Sequence, residues 1–137
     1  MPLITSVYLG IAEHAAALAT ELARTQKDRK VHLPAMVGAM QNDLVSAQVH
    51  VADMVRLAND FAFEPQDRLG QAGMARKVNA SNACIAVVTK AMEIAGGRGY
   101  LRDTGMEKLF RDVQAARYHL MQEHDQLRFS GEYHLRG

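Results

Sequence analysis

AMEIAGGRGYLRDTGMEKLFRDVQAAR, residues 91–117, is the stretch whose reading decides the fold. Ile85, Val88, Met92 and Ala95 keep helical spacing up to Gly96, and Gly96-Gly97 supplies the positive-φ conformations that end a helix. Gly99 lets the backbone pass close to a neighbour, and Tyr100 is a large side chain that asks for a pocket. Thr104 and Glu107 then stand in capping-box register, with Met106, Leu109, Phe110 and Val113 marking the buried face of a following helix. The stretch reads as helix, glycine corner, helix. A corner that only packs would use the same glycines.

Upstream, residues 3–26 place Ile4, Val7, Ile11, Ala15, Leu18 and Leu22 on one helical face. Pro34 suits the first turn of a second helix, where its missing N–H has no partner anyway. Met36, Met40, Leu44, Ala47, Val51, Met54, Ala58 and Phe61 carry that helix onward in steps of three and four. Glu64-Pro65-Gln66-Asp67 breaks it, and a third helix is expected over 67–95, weakened early by Gly70 and Gly73. The fourth helix spans 104 to about 119. Periodicity then fails, so 129–137 reads as a tail. Long helices joined by short loops favour antiparallel neighbours. The expected fold class is all-α, a four-helix up-and-down bundle.

Composition narrows the function classes. A chain of 137 residues is one domain, and 48% apolar with 23% charged residues is ordinary for a soluble globular protein. A net charge of +1 provides no basic field for nucleic acid or an anionic membrane. The single cysteine, Cys84, permits no disulfide within the chain and no cysteine-based metal site; it fits a reducing cytoplasm and sits in an apolar stripe as inert filler. No run approaches the ~20 apolar residues that span a bilayer, and no signal peptide opens the chain. His14, His32, His50, His119, His124 and His134 are scattered, without HExxH or Glu-x-x-His spacing, so no metal is expected. His50 and Asp53 share a helix face as a solvated pair. Nucleophile elbows, Walker loops and Cys–His constellations are missing.

As a whole string, residues 91–117 resemble the C-terminal helical domain of acyl-CoA dehydrogenase-type flavoproteins. That family carries Gln-x-x-Gly-Gly-x-Gly-Tyr, a spacer, and a helix reading Glu-x-x-[Leu/Tyr]-[Tyr/Phe]-Arg-Asp. Here the order is Glu93-Ile94-Ala95-Gly96-Gly97-Arg98-Gly99-Tyr100, then Glu107-Lys108-Leu109-Phe110-Arg111-Asp112. Val7-Tyr8-Leu9-Gly10-Ile11-Ala12-Glu13 is similar to the first helix of the same domain. The resemblance implies FAD as cofactor, an acyl-CoA substrate for the complete enzyme, and a homo-oligomer, dimer or tetramer. It also implies that the N-terminal helical and β-barrel domains are absent from 1–137. The chain would then be a fragment or one piece of a split enzyme, inactive alone.

The implied cofactor-binding positions are Glu93, Gly96, Gly97, Gly99 and Arg29. Glu93 stands where the family has Gln; a carboxylate accepts from a ribose hydroxyl or adenine amine and repels a diphosphate. Arg29 belongs to a basic loop, 24–29, that corresponds to the family's Arg-x-x-Phe-Gly segment but has lost its Phe-Gly. Many members of the family place the catalytic glutamate nine residues after the arginine of the Arg-Asp pair, and some branches carry the base on the first helix of this domain, at a position that falls at or before Met1. Counting from Arg111 arrives at Leu120, which cannot remove a proton. Arg117-Tyr118-His119-Leu120 instead resembles the Arg-[Phe/Tyr]-His-Pro string of a divergent branch that includes two-component flavin monooxygenases. There a histidine near the flavin handles protons, which makes His119 the catalytic candidate. Its plainer role is an exposed residue at a helix C-terminus. Three functions stay open: an acyl-CoA dehydrogenase-like oxidoreductase acting on a CH–CH group, a flavin-dependent monooxygenase, and a non-catalytic assembly module.

Overall fold

The structure is a computed structural model, and it describes residues 1–26, 30–59 and 65–137. Three long helices make the frame: α1 (Pro2–Arg24), α2 (Leu33–Ala58) and α3 (Asp67–Ala95). A four-residue helix, α4 (Gly97–Tyr100), and a 3-10 turn (Arg102–Thr104) lead into α5 (Met106–Val113). A second 3-10 turn (Gln114–Arg117) then precedes α6 (Glu123–Leu135). No strand occurs among the described residues. The chain is an all-α bundle, with α1, α2, α3 and α5 in the four expected places.

Helix α3 is the axis of the packing. Its buried residues include Val78, Cys84, Ile85, Val87, Val88, Ala91 and Ile94, adjacent pairs that cannot share one face. The helix is apolar on more than one side because α1, α2, α5 and α6 all pack against it. Met40, Leu44, Ala47, Val51 and Met54 of α2 are buried on the stripe expected for that helix. Phe61 of the same pattern lies outside the described residues. Across the α2–α3 seam Asp53 pairs with Arg76 and Lys90 pairs with Asp43, while Arg56, on the same helix as Asp53, pairs with it at 2.6 Å. The two arginines hold the Asp53 carboxyl at about 2. Asp53 therefore answers to arginines, not to His50. Such open pairs fix register more than they add stability.

The stripe expected on α1 faces the core at every position but Val7: Ala15 and Leu22 are buried, and Ile4, Ile11 and Leu18 pack against the core. Thr5, Tyr8, Ala12, Ala15, Ala16, Ala19 and Leu22 are buried, whereas Leu3 is 75% and Val7 59% exposed. The alanines lie against the bundle, where small side chains let helices approach closely. Helix α1 is also long and apolar enough, by length and composition, to cross a bilayer, contrary to the expectation that no run is; its alanine face lies in the bundle core.

Helix α6 occupies the segment expected to be a tail. Only Gln126 of it is buried, so no apolar stripe announced it. It is tied down by polar contacts: Gln71 Nε2 donates to Ser130 Oγ at 2.9 Å, and Arg136 pairs with Asp67.

Cys84 is fully buried, and burial pushes its thiol up to about 12 from an ordinary 9.0. The folded chain thus keeps a proton that the unfolded chain releases, so stability is lost as pH rises above the unfolded value. Cys84 is expected to react with a thiol reagent only as fast as the bundle unfolds, and Cys84→Ala to lose less stability in alkaline buffer. Rapid stoichiometric labelling of the folded chain would contradict this packing.

Candidate functional site

The glycine corner at the end of α3 is an open surface. Gly96 has φ 62° and ψ −140°, a region where a side chain is strained, and its N–H donates to the carbonyls of Met92 (3.0 Å) and Glu93 (3.2 Å). Gly97 does not share that conformation: it begins α4. The two glycines expected to turn together divide the work, one ending a helix and the other starting the next. A Cβ added at either would meet nothing within 4 Å, and Glu93 beside them is exposed. Main chain and carboxylate are therefore accessible together.

Gly99 serves packing. A Cβ there would lie 3.0 Å from Ala95 Cβ and 3.2 Å from the Met92 carbonyl oxygen. Its close approach is to the last turn of α3. Tyr100 is 81% exposed and fills no pocket of its own chain. Nor does Thr104 form a capping box with Glu107. Its hydroxyl lies within bonding distance of the carbonyls of Arg98 (2.9 Å) and Leu101 (3.2 Å), while Gly105, at φ 75°, is the N-cap of α5. The left-handed glycine takes the cap position, and threonine ties the corner shut behind it. Arg29, the remaining cofactor candidate, lies outside the described residues.

The second cluster is the turn between α5 and α6, and a buried lysine organises it. Lys77 of α3 is 3% exposed, and its Nζ donates to the carbonyls of Ala116 (3.1 Å) and Met121 (3.2 Å). Burial lowers its pKa, opposed by the charge of Glu123. The two carbonyls flank His119 and Leu120. Leu120 has φ 69°, a strained conformation for a branched side chain, and such strain persists where surrounding bonds over-determine it. Leu120 is exposed, so the usual base position presents an aliphatic side chain. Glu123 does not replace it: its carboxylate accepts from Asn82 Nδ2 at 2.9 Å.

His119 is exposed, and its Nδ1 meets the hydroxyl of the buried Tyr8 on α1. The contact spans the bundle from its first helix to its last turn. Beside the turn, a cavity of about 330 Å³ is lined by Lys77, Ser81, Asn82, Arg117 and Glu123. The Ser81 hydroxyl is buried there without a hydrogen-bond partner among the described residues. Neither Lys77 nor Tyr8 stood out in the sequence. The available signal was register: Lys77 falls in line with Met74, Val78 and Ser81 on a face that is otherwise buried. No group of His, Cys, Asp and Glu suited to a metal occurs among the described residues.

Comparison with known proteins agrees with this architecture. The family described as acyl-CoA dehydrogenase, C-terminal domain, matches residues 3–124. YdbM of Bacillus subtilis (strain 168), named as an acyl-CoA dehydrogenase, is 28% identical over 120 residues, covering 82% of this chain and 31% of the relative. The chain thus spans about a third of the length of that curated relative. Among solved structures, KijD3 in complex with FMN and a dTDP-sugar superposes with a TM-score of 0.88 at 17% identity, over 96% of this chain and 35% of KijD3. Dibenzothiophene monooxygenase TdsC from Paenibacillus sp. A11-2 gives 0.82 at 20% identity, over 98% of this chain and 38% of TdsC. At these identities the two structures bear on the fold alone.

Two substitution pairs test the geometry. Gly96→Ala is expected to cost about 1–3 kcal/mol in urea unfolding, whereas Gly97→Ala, with open space and a helical backbone, stays near neutral. Equal costs would contradict the corner. Lys77→Met leaves the Ala116 and Met121 carbonyls unpaired and is expected to lose about 1–3 kcal/mol, with the exposed Lys108→Met as the silent control.

Proposed function

The chain belongs to the acyl-CoA dehydrogenase family, as its C-terminal domain, and we propose that it is the flavin-contacting, oligomerising part of an oxidoreductase of that family, with FAD as the flavin. The observation that carries this reading is the corner: Gly96 and Gly97 leave main chain bare beside an exposed carboxylate. A dinucleotide needs such close approach to backbone, and Glu93 accepts hydrogen bonds from ribose hydroxyls or an adenine amine. A glutamate does not suit a diphosphate, so the adenosine half belongs at Glu93 and the phosphates elsewhere. When bound, the flavin supplies the hydride or oxygen chemistry; residues of this chain bind and orient.

Oligomerisation is supported by apolar side chains left on the outside. Leu3 and Val7 on α1, Val45 and Val49 on α2, and Tyr100 with Leu101 at the corner are all more than half exposed. Grouped exposed apolar side chains mark an interface more often than chance. Tyr100 would then find its pocket in a neighbouring subunit.

The reaction has two readings. Removal of a hydride and an α-proton from an acyl-CoA matches the name of the relative, but needs a base that Leu120 is not. Flavin-dependent oxygenation is favoured by a specific observation, the exposed His119 held by Tyr8 in the turn where the carboxylate would otherwise stand. Formation of an oxygenated product with a flavin reductase present, and no acyl-CoA oxidation, would select the second reading.

The flavin contact is tested on the chain itself. In 15N-labelled protein, FAD is expected to shift the amides of Glu93, Gly96 and Gly97 first, and Glu93→Ala to weaken that response severalfold. Shifts confined to other faces would refute the assignment. The 137-residue chain alone is expected to turn over no acyl-CoA; measurable oxidation by it would contradict the proposal.

A further inference from the structure

Helix α1 meets the turn after α5 through one polar contact, Tyr8 against His119, and burial fixes its direction. Tyr8 is 5% exposed, and desolvation raises its phenol above the ordinary value of 10.0. The hydroxyl keeps its proton, and His119 Nδ1 is its one hydrogen-bond partner among the described residues; were it to accept from Nδ1–H, its own buried O–H would be left unpaired, so the phenol is the donor. The nitrogen it faces is Nδ1, and the His119 ring has no other hydrogen bond among the described residues. The ring centroids are 5.5 Å apart with planes inclined by 35°, so the phenol also restrains rotation of the imidazole. Turning the imidazole over would set a carbon against the hydroxyl and leave a buried phenol unpaired. From below, Lys77 fixes the main chain on both sides of His119.

A neutral imidazole carries hydrogen on one nitrogen only. With Nδ1 accepting from Tyr8, the hydrogen resides on Nε2. We propose that Tyr8 is a positioning residue that holds His119 as its Nε2–H tautomer, so that the exposed imidazole is a fixed hydrogen-bond donor to an electron-rich oxygen of a bound ligand. The ligand class is an oxygen acceptor, a carbonyl, carboxylate or nitro group. The same tautomer has no lone pair on Nε2, so neutral His119 cannot take an α-proton in place of the missing carboxylate.

The role toward a ligand rests on the reading that this face meets the reacting molecule; the tautomer does not, and it is measured without flavin. Histidine-15N-labelled protein in mildly alkaline buffer gives long-range proton–nitrogen correlations, with His119 assigned by its loss in His119→Gln. The wild-type ring is expected to show an unprotonated Nδ1 and a protonated Nε2, with widely separated nitrogen shifts. In Tyr8→Phe those shifts are expected to converge as both tautomers populate, while the circular dichroism of the bundle is kept. A protonated Nδ1 in the wild type would overturn the proposal, as would unchanged ring shifts in a folded Tyr8→Phe. Should that variant unfold, the wild-type spectrum decides alone. A correct tautomer combined with no flavin response would leave the positioning role standing and remove the flavoprotein reading.

Discussion

Helix α3 is wrapped by four other helices, and that burial is the constraint from which both candidate regions follow. A helix enclosed on several sides has few ways to leave the core. It exits through Gly96, in a conformation that only glycine holds without strain, and the exit exposes main chain. In mid-helix the same enclosure buries Lys77, whose ammonium donates to the carbonyls of Ala116 and Met121 in the α5–α6 turn. Bare backbone at one end and a clamped turn along one flank are two consequences of one packing arrangement.

The clamped turn shows how strain and chemistry coincide. Leu120 is one of two non-glycine residues with positive φ among the described residues, and the turn that carries it also carries His119. Without Lys77 below and Tyr8 across the bundle, the segment could relax to an ordinary loop. With them, an exposed imidazole is presented from a defined backbone in a defined protonation pattern. Preorganisation of this kind lets a single donor act without first being ordered by its ligand.

Much of the fold was legible because its signals are periodic. The bounds of α3 and the stripe of α2 follow from apolar spacing and from the Pro and Gly punctuation around them. On α1 the stripe holds except at Val7, which is exposed while Ala12 is buried, because hydropathy ranks Val7 above Ala12 and close helix packing ranks them the other way. Helix α6 was missed because it is held by polar contacts and lacks an apolar stripe. At the site, Gly96 was read correctly as a helix terminator. Gly99 has a packing reason that the motif alone does not reveal, since Met92 and Ala95 leave no room for a side chain there. Tyr8 and Lys77 were invisible for a different reason. Their partners lie 111 and about 40 residues away, and no local pattern encodes contacts of that range.

The central claim is that the adenosine half of a flavin dinucleotide lies against bare main chain where α3 ends. A structure of the FAD-loaded protein tests it most directly. The account predicts adenine or ribose within hydrogen-bond distance of Glu93 and in contact with the backbone of Gly96 and Gly97, in the same subunit or across a subunit junction. A dinucleotide bound with that corner left facing solvent would contradict it.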